Sequence, residues 1–332
     1  MTSVLVLGAT GFIGGHIAQA ALERGWEVHG LRRRRGATGH INQADVIWHD
    51  GDLDQPESLP QAFEGIEVVF HAAAYYPRNS RNVPFHVAHA VEQIRNVLDA
   101  IRRAEVRRMV FTSTLTTISR PPGSDTRLAD ERDHYLPGSL PRSAYYECKY
   151  AMESEVLRAA AQGIPAVVVN PTAVFGPGDL HLTLGSVLLA VARGWVIVWL
   201  PAQVNAIDVR DVAQAHIRAA EVGSVGERYI LGGHNATLRD LLVLAAGVAG
   251  VQPPRFEIPL KLVDFAVWLG DRFSPLDFLG NHLRAVRQWQ GYNCSKSMQQ
   301  LDLNPRPLET TLREALDWYR MHGFLEQQSF VV

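Results

Sequence analysis

Short apolar runs and helical repeats alternate along the first half of the chain. Strand-like runs fall at Ser3–Leu7, Glu27–Leu31, Val46–His49, Glu67–His71, Arg108–Thr112 and Ala166–Val169. Between them, apolar residues recur at helical spacing near Phe12–Arg24, Pro56–Phe63, Phe85–Arg103 and Ser143–Gln162. Runs that are apolar on both faces and alternate with helices predict an α/β fold: a doubly wound parallel sheet covered on both sides. A break follows Asn170-Pro171, and the remainder mixes helices with short strands and proline-rich turns at Pro253-Pro254 and Pro305-Arg306-Pro307. The pattern predicts a core over 1–170 and a smaller α/β lobe over 171–332, with about 205–232 returning to the core. There is no internal repeat.

The first strand-to-helix transition carries chemistry. Val4-Leu5-Val6-Leu7 stops at Gly8, and Gly8-Ala9-Thr10-Gly11-Phe12-Ile13-Gly14 places glycines at G-x-x-G-x-x-G spacing before the apolar repeat resumes. Gly8 permits a tight turn, Gly11 lets backbone approach a pyrophosphate, and Gly14 lets the helix pack close to the strand. Phosphates then rest on the unpaired N–H groups at the positive end of the helix. A purely structural turn competes with this reading, but the strand before and the helix after are the context a dinucleotide site requires.

A second motif lies in mid-chain, at Tyr145-Tyr146-Glu147-Cys148-Lys149. Four residues apart on a helix, Tyr145 and Lys149 share a face. A phenol with a pKa near 10 is a poor acid or base at neutral pH, and a nearby ammonium is expected to lower it toward the working range. Tyr146 is also within reach of Lys149.

Together the two motifs resemble the extended short-chain dehydrogenase/reductases, the NAD-dependent epimerase/dehydratase family. Asn170-Pro171-Thr172-Ala173-Val174-Phe175-Gly176-Pro177-Gly178-Asp179 and Gly226-Glu227-Arg228-Tyr229-Ile230-Leu231-Gly232-Gly233 look most like its dihydroflavonol-reductase-like and hopanoid-associated epimerase-like subgroup. The resemblance covers nearly the whole chain. It implies a Rossmann core at 1–170 that holds the cofactor and the Tyr/Lys helix, with 171–332 mainly binding substrate over the C-terminal edge of the sheet. It selects Tyr145 to exchange a proton with the substrate oxygen and Lys149 to hold the nicotinamide ribose. The hydroxyl that binds the substrate oxygen falls on Thr114, with Ser113 as the fallback, because strand alternation sends the two to opposite faces.

Implied cofactor contacts are Gly8, Thr10, Gly11, Phe12, Ile13, Gly14, Asp52, Leu53, Ala72, Ala73, Ala74, Thr112, Asn170, Pro171 and Thr172, besides Tyr145 and Lys149. Asp52 either accepts from the adenine amino group or simply flanks a helix. His71 and Cys148 read as packed side chains. One departure stands out: Ala90 occupies the position of the family's usual asparagine, whereas Asn96 matches a second family position. The resemblance also implies a homodimer through the helices near 85–103 and 143–162.

The second strand bears on the cofactor. NAD sites usually place an acid there for the ribose 2′-hydroxyl. This strand ends instead in Arg32-Arg33-Arg34-Arg35, with no carboxylate at the strand end. Guanidinium groups suit a 2′-phosphate, so NADP(H) is favoured over NAD(H). Arg32 and Arg33 are the expected contacts, and Arg34 and Arg35 a solvated loop.

Candidate substrate contacts are Tyr75, Tyr76, Thr116, Tyr146, Phe175 and Trp199, with Pro77 and Thr172 beside them. They are neutral and often aromatic, which suits a carbonyl compound with an apolar or ring-bearing body. Thr114 is followed by Leu115-Thr116, not by the Asp-Glu pair that the family's dehydratases use. The strand before Asp211 lacks the arginine of nucleotide-sugar epimerases. An NADP(H)-dependent reductase of a ketone or aldehyde is therefore the first expectation. An epimerase acting on a sugar or polyol is the alternative, and a non-catalytic NADP(H)-binding regulator a weaker third.

Composition is consistent with a soluble enzyme. The 332 residues are 47% apolar with a net charge of −2, which gives no electrostatic bias toward nucleic acid or an anionic membrane. The two cysteines, Cys148 and Cys294, form no metal or disulfide pattern. No metal is expected. Leu182–Leu200 is interrupted by Arg193-Gly194, so it does not read as a span. The first apolar run lacks a preceding basic segment, and the expected location is cytoplasmic. Leu260–Leu269, with Phe265 and Trp268, reads as an amphipathic lid helix.

Overall fold

The computed structural model describes residues 1–41, 43–73, 75–77, 80, 82–122, 127–136, 139–141, 143–259, 261–263 and 289–325. Ala74 and most of the segment Leu260–Leu269, including Phe265 and Trp268, lie outside them. The chain divides into two compact units. One comprises Met1–Thr172, Val209–Leu231 and Asn293–Asn304; the other comprises Ala173–Asp208, Gly232–Tyr292 and Pro305–Val332.

In chain order the strands are β1 (Ser3–Leu7), β2 (Glu27–Arg32), β3 (Ile47–Asp50), β4 (Val68–His71), β5 (Arg108–Thr112), β6 (Ala166–Pro171), β7 (Ala173–Phe175), β8 (Val198–Trp199), β9 (Gln203–Asp208), β10 (Arg228–Leu231), β11 (His234–Thr237) and β12 (Phe256–Glu257). The helices are α1 (Phe12–Glu23), α2 (Pro60–Phe63), α3 (Val83–Arg103), α4 (Ala144–Ala161), α5 (Gly185–Ala192), α6 (Val209–Val222), α7 (Leu238–Ala249), α8 (Ser295–Gln300) and α9 (Leu308–Met321).

The first unit is the doubly wound Rossmann sheet, in the order β10-β6-β5-β4-β1-β2-β3 with every pair parallel. Alternate strand residues Leu5, Leu7, Val69, Phe111 and Val168 enter a core with Ile94 and Val97 of α3 and Cys148 and Met152 of α4. Helices α1 and α6 pack together, as do α3 and α4. Ala90 is fully buried in the same core. The position of the family's usual asparagine is thus an apolar packing position.

The second unit has its own core. A three-stranded sheet, β11-β9-β7, packs with Leu188 and Leu189 of α5, Leu241 and Leu242 of α7, and Leu312 and Leu316 of α9.

Local chemistry explains where elements depart from the sequence expectation. The predicted helix Pro56–Phe63 divides into a 3-10 turn, Pro56–Ser58, and α2, because Pro60 has no N–H to continue the helical ladder. β2 runs one residue further than expected, which puts Arg32 opposite Asp50 of β3 in the ladder. β6 likewise extends to Pro171, which carries Asn170 within the strand.

Candidate active site

The turn after β1 is built by the absence of side chains. Gly8 has φ +90°, and a Cβ there would stand 2.7 Å from the backbone nitrogen of Ala73, in the segment after β4. A Cβ on Gly14 would lie 2.1 Å from the Gly8 carbonyl oxygen, so α1 can approach the turn only as glycine. The N-cap Gly11 offers no side-chain cap, and the first turn of α1 holds no acidic residue. The positive end of that helix is thereby left to an external anion. These features fit the pyrophosphate of a dinucleotide.

At the far end of β2, Arg32 is shielded. Its Nε donates to Asp50 Oδ1 at 2.7 Å, its guanidinium carbon lies 5.4 Å from the Trp48 ring centroid, and its Nη1 is buried without a hydrogen-bond partner. The neighbouring strand therefore supplies a carboxylate that the arginine run does not reveal. Arg33, Arg34 and Arg35 are exposed. The next segment is tied to α3: Asn96 Nδ2 donates to the Leu53 carbonyl at 2.9 Å, and Gln93 Nε2 donates to Asp54 at 2.7 Å. The Leu53 side chain is in the core, while Asp52 Oδ1 accepts from the Asp54 N–H.

The end of β5 faces the N-terminal half of α4. Thr114 lies beside the Tyr145 phenol, close enough to favour the phenolate, while its Oγ1 accepts from the Thr116 N–H at 3.4 Å. Ser113, in contrast, lies 3.5 Å from the Thr117 hydroxyl and is buried. The two hydroxyls thus have different partners, as strand alternation predicts. Thr112 turns to α6. His216 Nδ1 donates to the Val212 carbonyl at 2.8 Å, which leaves Nε2 to accept from Thr112 Oγ1 at 2.9 Å. The Thr112 carbonyl accepts from Lys149 Nζ at 3.5 Å.

Lys149 is buried, and burial lowers its pKa to about 8 against the opposing pull of Glu153 and Cys148. Tyr145 moves the other way from the sequence expectation. Burial raises its pKa, Tyr76 adds to the rise, and Thr114 only partly offsets it. The reason is that desolvation of a phenolate outweighs the neighbours that would favour it. Burial thus keeps the phenol protonated at neutral pH but makes it a weaker acid than a free phenol.

Other candidates scatter. Tyr76, 67% exposed, has its ring 4.7 Å from that of Tyr145. Tyr75 turns to α3, its hydroxyl 2.6 Å from His86 Nδ1. Tyr146 is buried, and Thr116 is buried with its hydroxyl unpartnered. His71 is wholly buried, both ring nitrogens lack partners, and burial followed by the charge of Lys149 lowers its pKa to about 4. Asn170, Pro171 and Thr172 are buried around the end of β6, where the Thr172 N–H donates to the Leu231 carbonyl. Thr10, Phe12 and Ile13 are half-buried along the glycine turn, and Ala72 and Ala73 half-buried after β4. Phe175 and Trp199 belong to the second unit, where Phe175 is in the core and Trp199 packs against it.

Sequence reasoning missed a buried polar cluster behind Lys149. Glu153 Oε1 and Arg228 Nε are 2.9 Å apart, with both side chains about 95% buried. Glu153 Oε2 accepts from Thr117 Oγ1 at 2.7 Å and from Asn170 Nδ2 at 2.8 Å. Helical spacing could have found Glu153, four residues after Lys149; nothing local announces Arg228. Arg228 also lines a cavity of about 410 Å³ with Glu131, His134, Glu227 and Lys296. Tyr145 does not border it.

A doubly wound sheet, a side-chain-free phosphate turn and a Tyr/Lys pair facing a strand-end hydroxyl define a nicotinamide-dependent short-chain dehydrogenase/reductase. Residues 4–232 match the model of the NAD dependent epimerase/dehydratase family, and the chain belongs to that family. A Synechocystis sp. protein named as a dihydroflavonol 4-reductase is 31% identical over 97% of this chain and 96% of its own length. The crystal structure of gox2253 superimposes with a TM-score of 0.86 at 30% identity, covering 98% of this chain and 99% of that one. A protein described as a nucleoside-diphosphate-sugar epimerase from Pseudomonas aeruginosa superimposes with a TM-score of 0.84 at 25% identity, covering 98% and 99%. The chain is therefore an enzyme of a family that binds an NAD(P) nucleotide. No helix among the described residues is long and apolar enough to cross a membrane.

Proposed function

We propose that this enzyme is an NADP(H)-dependent reductase of a ketone or aldehyde with an apolar or ring-bearing body, also able to oxidise the corresponding alcohol. The observation that carries this reading is the placement of Thr114 beside the Tyr145 phenol, on the face of α4 that also carries Lys149. Hydride chemistry at the carbonyl carbon is what a bound nicotinamide supplies. Tyr145 donates its phenolic proton to the substrate oxygen. Thr114 orients that oxygen, and Ser113, engaged by Thr117, does not. Lys149, held by the Thr112 carbonyl, keeps an ammonium close to the ribose and to the phenolate left after proton transfer.

Gly8, Gly11 and Gly14 hold the pyrophosphate, and Arg32 and Arg33 the 2′-phosphate. In this reading the first unit binds the cofactor, the second carries substrate contacts including Phe175 and Trp199, and two copies pair through α3 and α4. Similarity to a protein described as a sugar-nucleotide epimerase supports a second reading, isomerisation without net cofactor turnover.

The test is steady-state turnover and NADPH affinity in single variants. Tyr145→Phe removes one hydroxyl, so turnover should fall by about 10²–10⁴ with cofactor affinity retained. Thr114→Val should lower turnover more than Ser113→Ala. Near-wild-type turnover in Tyr145→Phe overturns the mechanism. Isomer interconversion without NADPH consumption selects the second reading.

A further inference from the structure

The face of α4 that carries Tyr145 and Lys149 continues to Glu153, a buried carboxylate with more partners than its own ion pair needs. Its Oε2 is 2.7 Å from the Thr117 hydroxyl and 2.8 Å from Asn170 Nδ2. Both of these groups also reach the backbone carbonyl of Thr114, Thr117 Oγ1 at 2.9 Å and Asn170 Nδ2 at 3.3 Å. On its other oxygen Glu153 meets Arg228, which further donates to the Thr117 carbonyl at 2.9 Å and the Glu131 carbonyl at 3.2 Å. One carboxylate therefore touches both halves of the site, the lysine through its charge and the Thr114 strand end through two hydrogen-bonded intermediaries.

A neutral scaffold would have sufficed for the hydrogen bonds. Replacing a buried ion pair by apolar groups is often neutral or stabilising, so its presence asks for a reason other than stability. The groups facing Lys149 supply one. Cys148 and Glu153 come from its own helix, His71 from β4, and the Phe111 ring and the Thr112 carbonyl from β5. His71 is neutral near pH 7, and Cys148 is a buried thiol whose pKa is pushed up to about 11. Glu153 is left as the anion that opposes the desolvation of the lysine. Behind it stand Arg228 from β10 and His134, whose Nδ1 is 3.0 Å from Arg228 Nη1.

The geometry points to Glu153 as a positioning residue that keeps Lys149 an ammonium and fixes the Thr114 carbonyl, with Arg228 as the counter-ion that limits its field. This rests on the proposed roles of Lys149 and Thr114.

The two charges should move Lys149 in opposite directions, which a merely structural pair would not do. Two readouts serve: the alkaline limb of the turnover–pH profile, and the titration of Lys149 by NMR in cofactor-free protein carrying isotope-labelled lysine. Glu153→Gln removes the anion, so both should shift to lower pH by about one unit or more. Glu153→Asp should restore part of the shift. Arg228→Gln leaves Glu153 less neutralised, so the Lys149 titration should rise. If the single variants do not fold, the double variant Glu153→Gln/Arg228→Gln leaves no uncompensated buried charge. Lys149 should still titrate below the wild type in it.

An unmoved Lys149 titration in Glu153→Gln or in the double variant overturns the inference, as does an unmoved or downward titration in Arg228→Gln. The NMR readout is independent of turnover. Full activity in Tyr145→Phe would therefore sink the proposed chemistry without deciding the role of Glu153.

Discussion

At the end of β1 a site is made by leaving side chains out, and at the end of β5 one is made by bringing side chains together. The glycine turn spans seven consecutive residues, and its tolerances are steric: a Cβ on Gly14 would lie 2.1 Å from the Gly8 oxygen. The proposed catalytic corner draws Thr114 and Thr117 from the turn after β5, Tyr145, Lys149 and Glu153 from α4, Asn170 from β6 and Arg228 from β10. Its tolerances are electrostatic. The difference teaches that damage to the two regions should look different: collapse of binding and stability at the turn, loss of rate at the corner.

The largest expected effect comes from Gly14→Val. Overpacking against backbone that cannot rotate away should destabilise the protein by about 3 kcal/mol or more and abolish dinucleotide binding. Thermal melts with and without NADPH check both. A variant that melts like the wild type and still binds NADPH would break the comparison.

Arg32→Gln comes next. A charge-assisted hydrogen bond to phosphate contributes about 1.5–3 kcal/mol, so NADPH affinity should fall by tenfold or more while NADH affinity changes little. Asp50 complicates the corner in an informative way, because it already holds Arg32 Nε at 2.7 Å. Asp50→Asn should release that edge of the guanidinium and favour NADPH further. Fluorescence titration of both cofactors measures this, and equal changes for the two would withdraw the NADP(H) preference.

An effect of pH sharpens the comparison by finding something the regions share. Each keeps a neutral histidine: half-buried His40, whose ring fills the space beside Gly15 of α1, and buried His71 beside Lys149. Burial lowers both, and His216, from 6.5 to about 4. The unfolded chain therefore takes up these protons first. Stability falls as pH drops from 6.5 toward about 4 and levels off below. The melting temperature should follow that curve, and His71→Phe should flatten it. A melting temperature constant across the window would remove these histidines as its cause.

What could be read from the sequence follows the same division. The parallel sheet was legible because buried strands leave apolar runs and their helices leave periodic ones. The glycine turn was legible because its requirements are contiguous, and Tyr145 with Lys149 because helical spacing fixes their shared face. The environment of Arg32 was not, because Asp50 is opposite it only through the β2–β3 register. The raised pKa of Tyr145 was not, because burial is a property of the packed site. Tyr75 and Tyr76 look alike as neighbours in sequence, yet one bonds His86 and the other lies against Tyr145. Side-chain direction in an irregular segment has no period to read.

Arg228 lies on β10, and the chain reaches it only after leaving the first unit at Thr172 and returning at Val209. A polypeptide ending at Thr172 would already contain six of the seven sheet strands, every glycine of the turn, Tyr145 and Lys149. It would also contain Glu153 with no arginine to answer it, and an uncompensated buried charge of that kind destabilises by about 3–5 kcal/mol. The final environment of α4 is therefore complete only with the last strand of the sheet. The buried pair ties together two stretches of the first unit that the chain separates by its excursion through Ala173–Asp208.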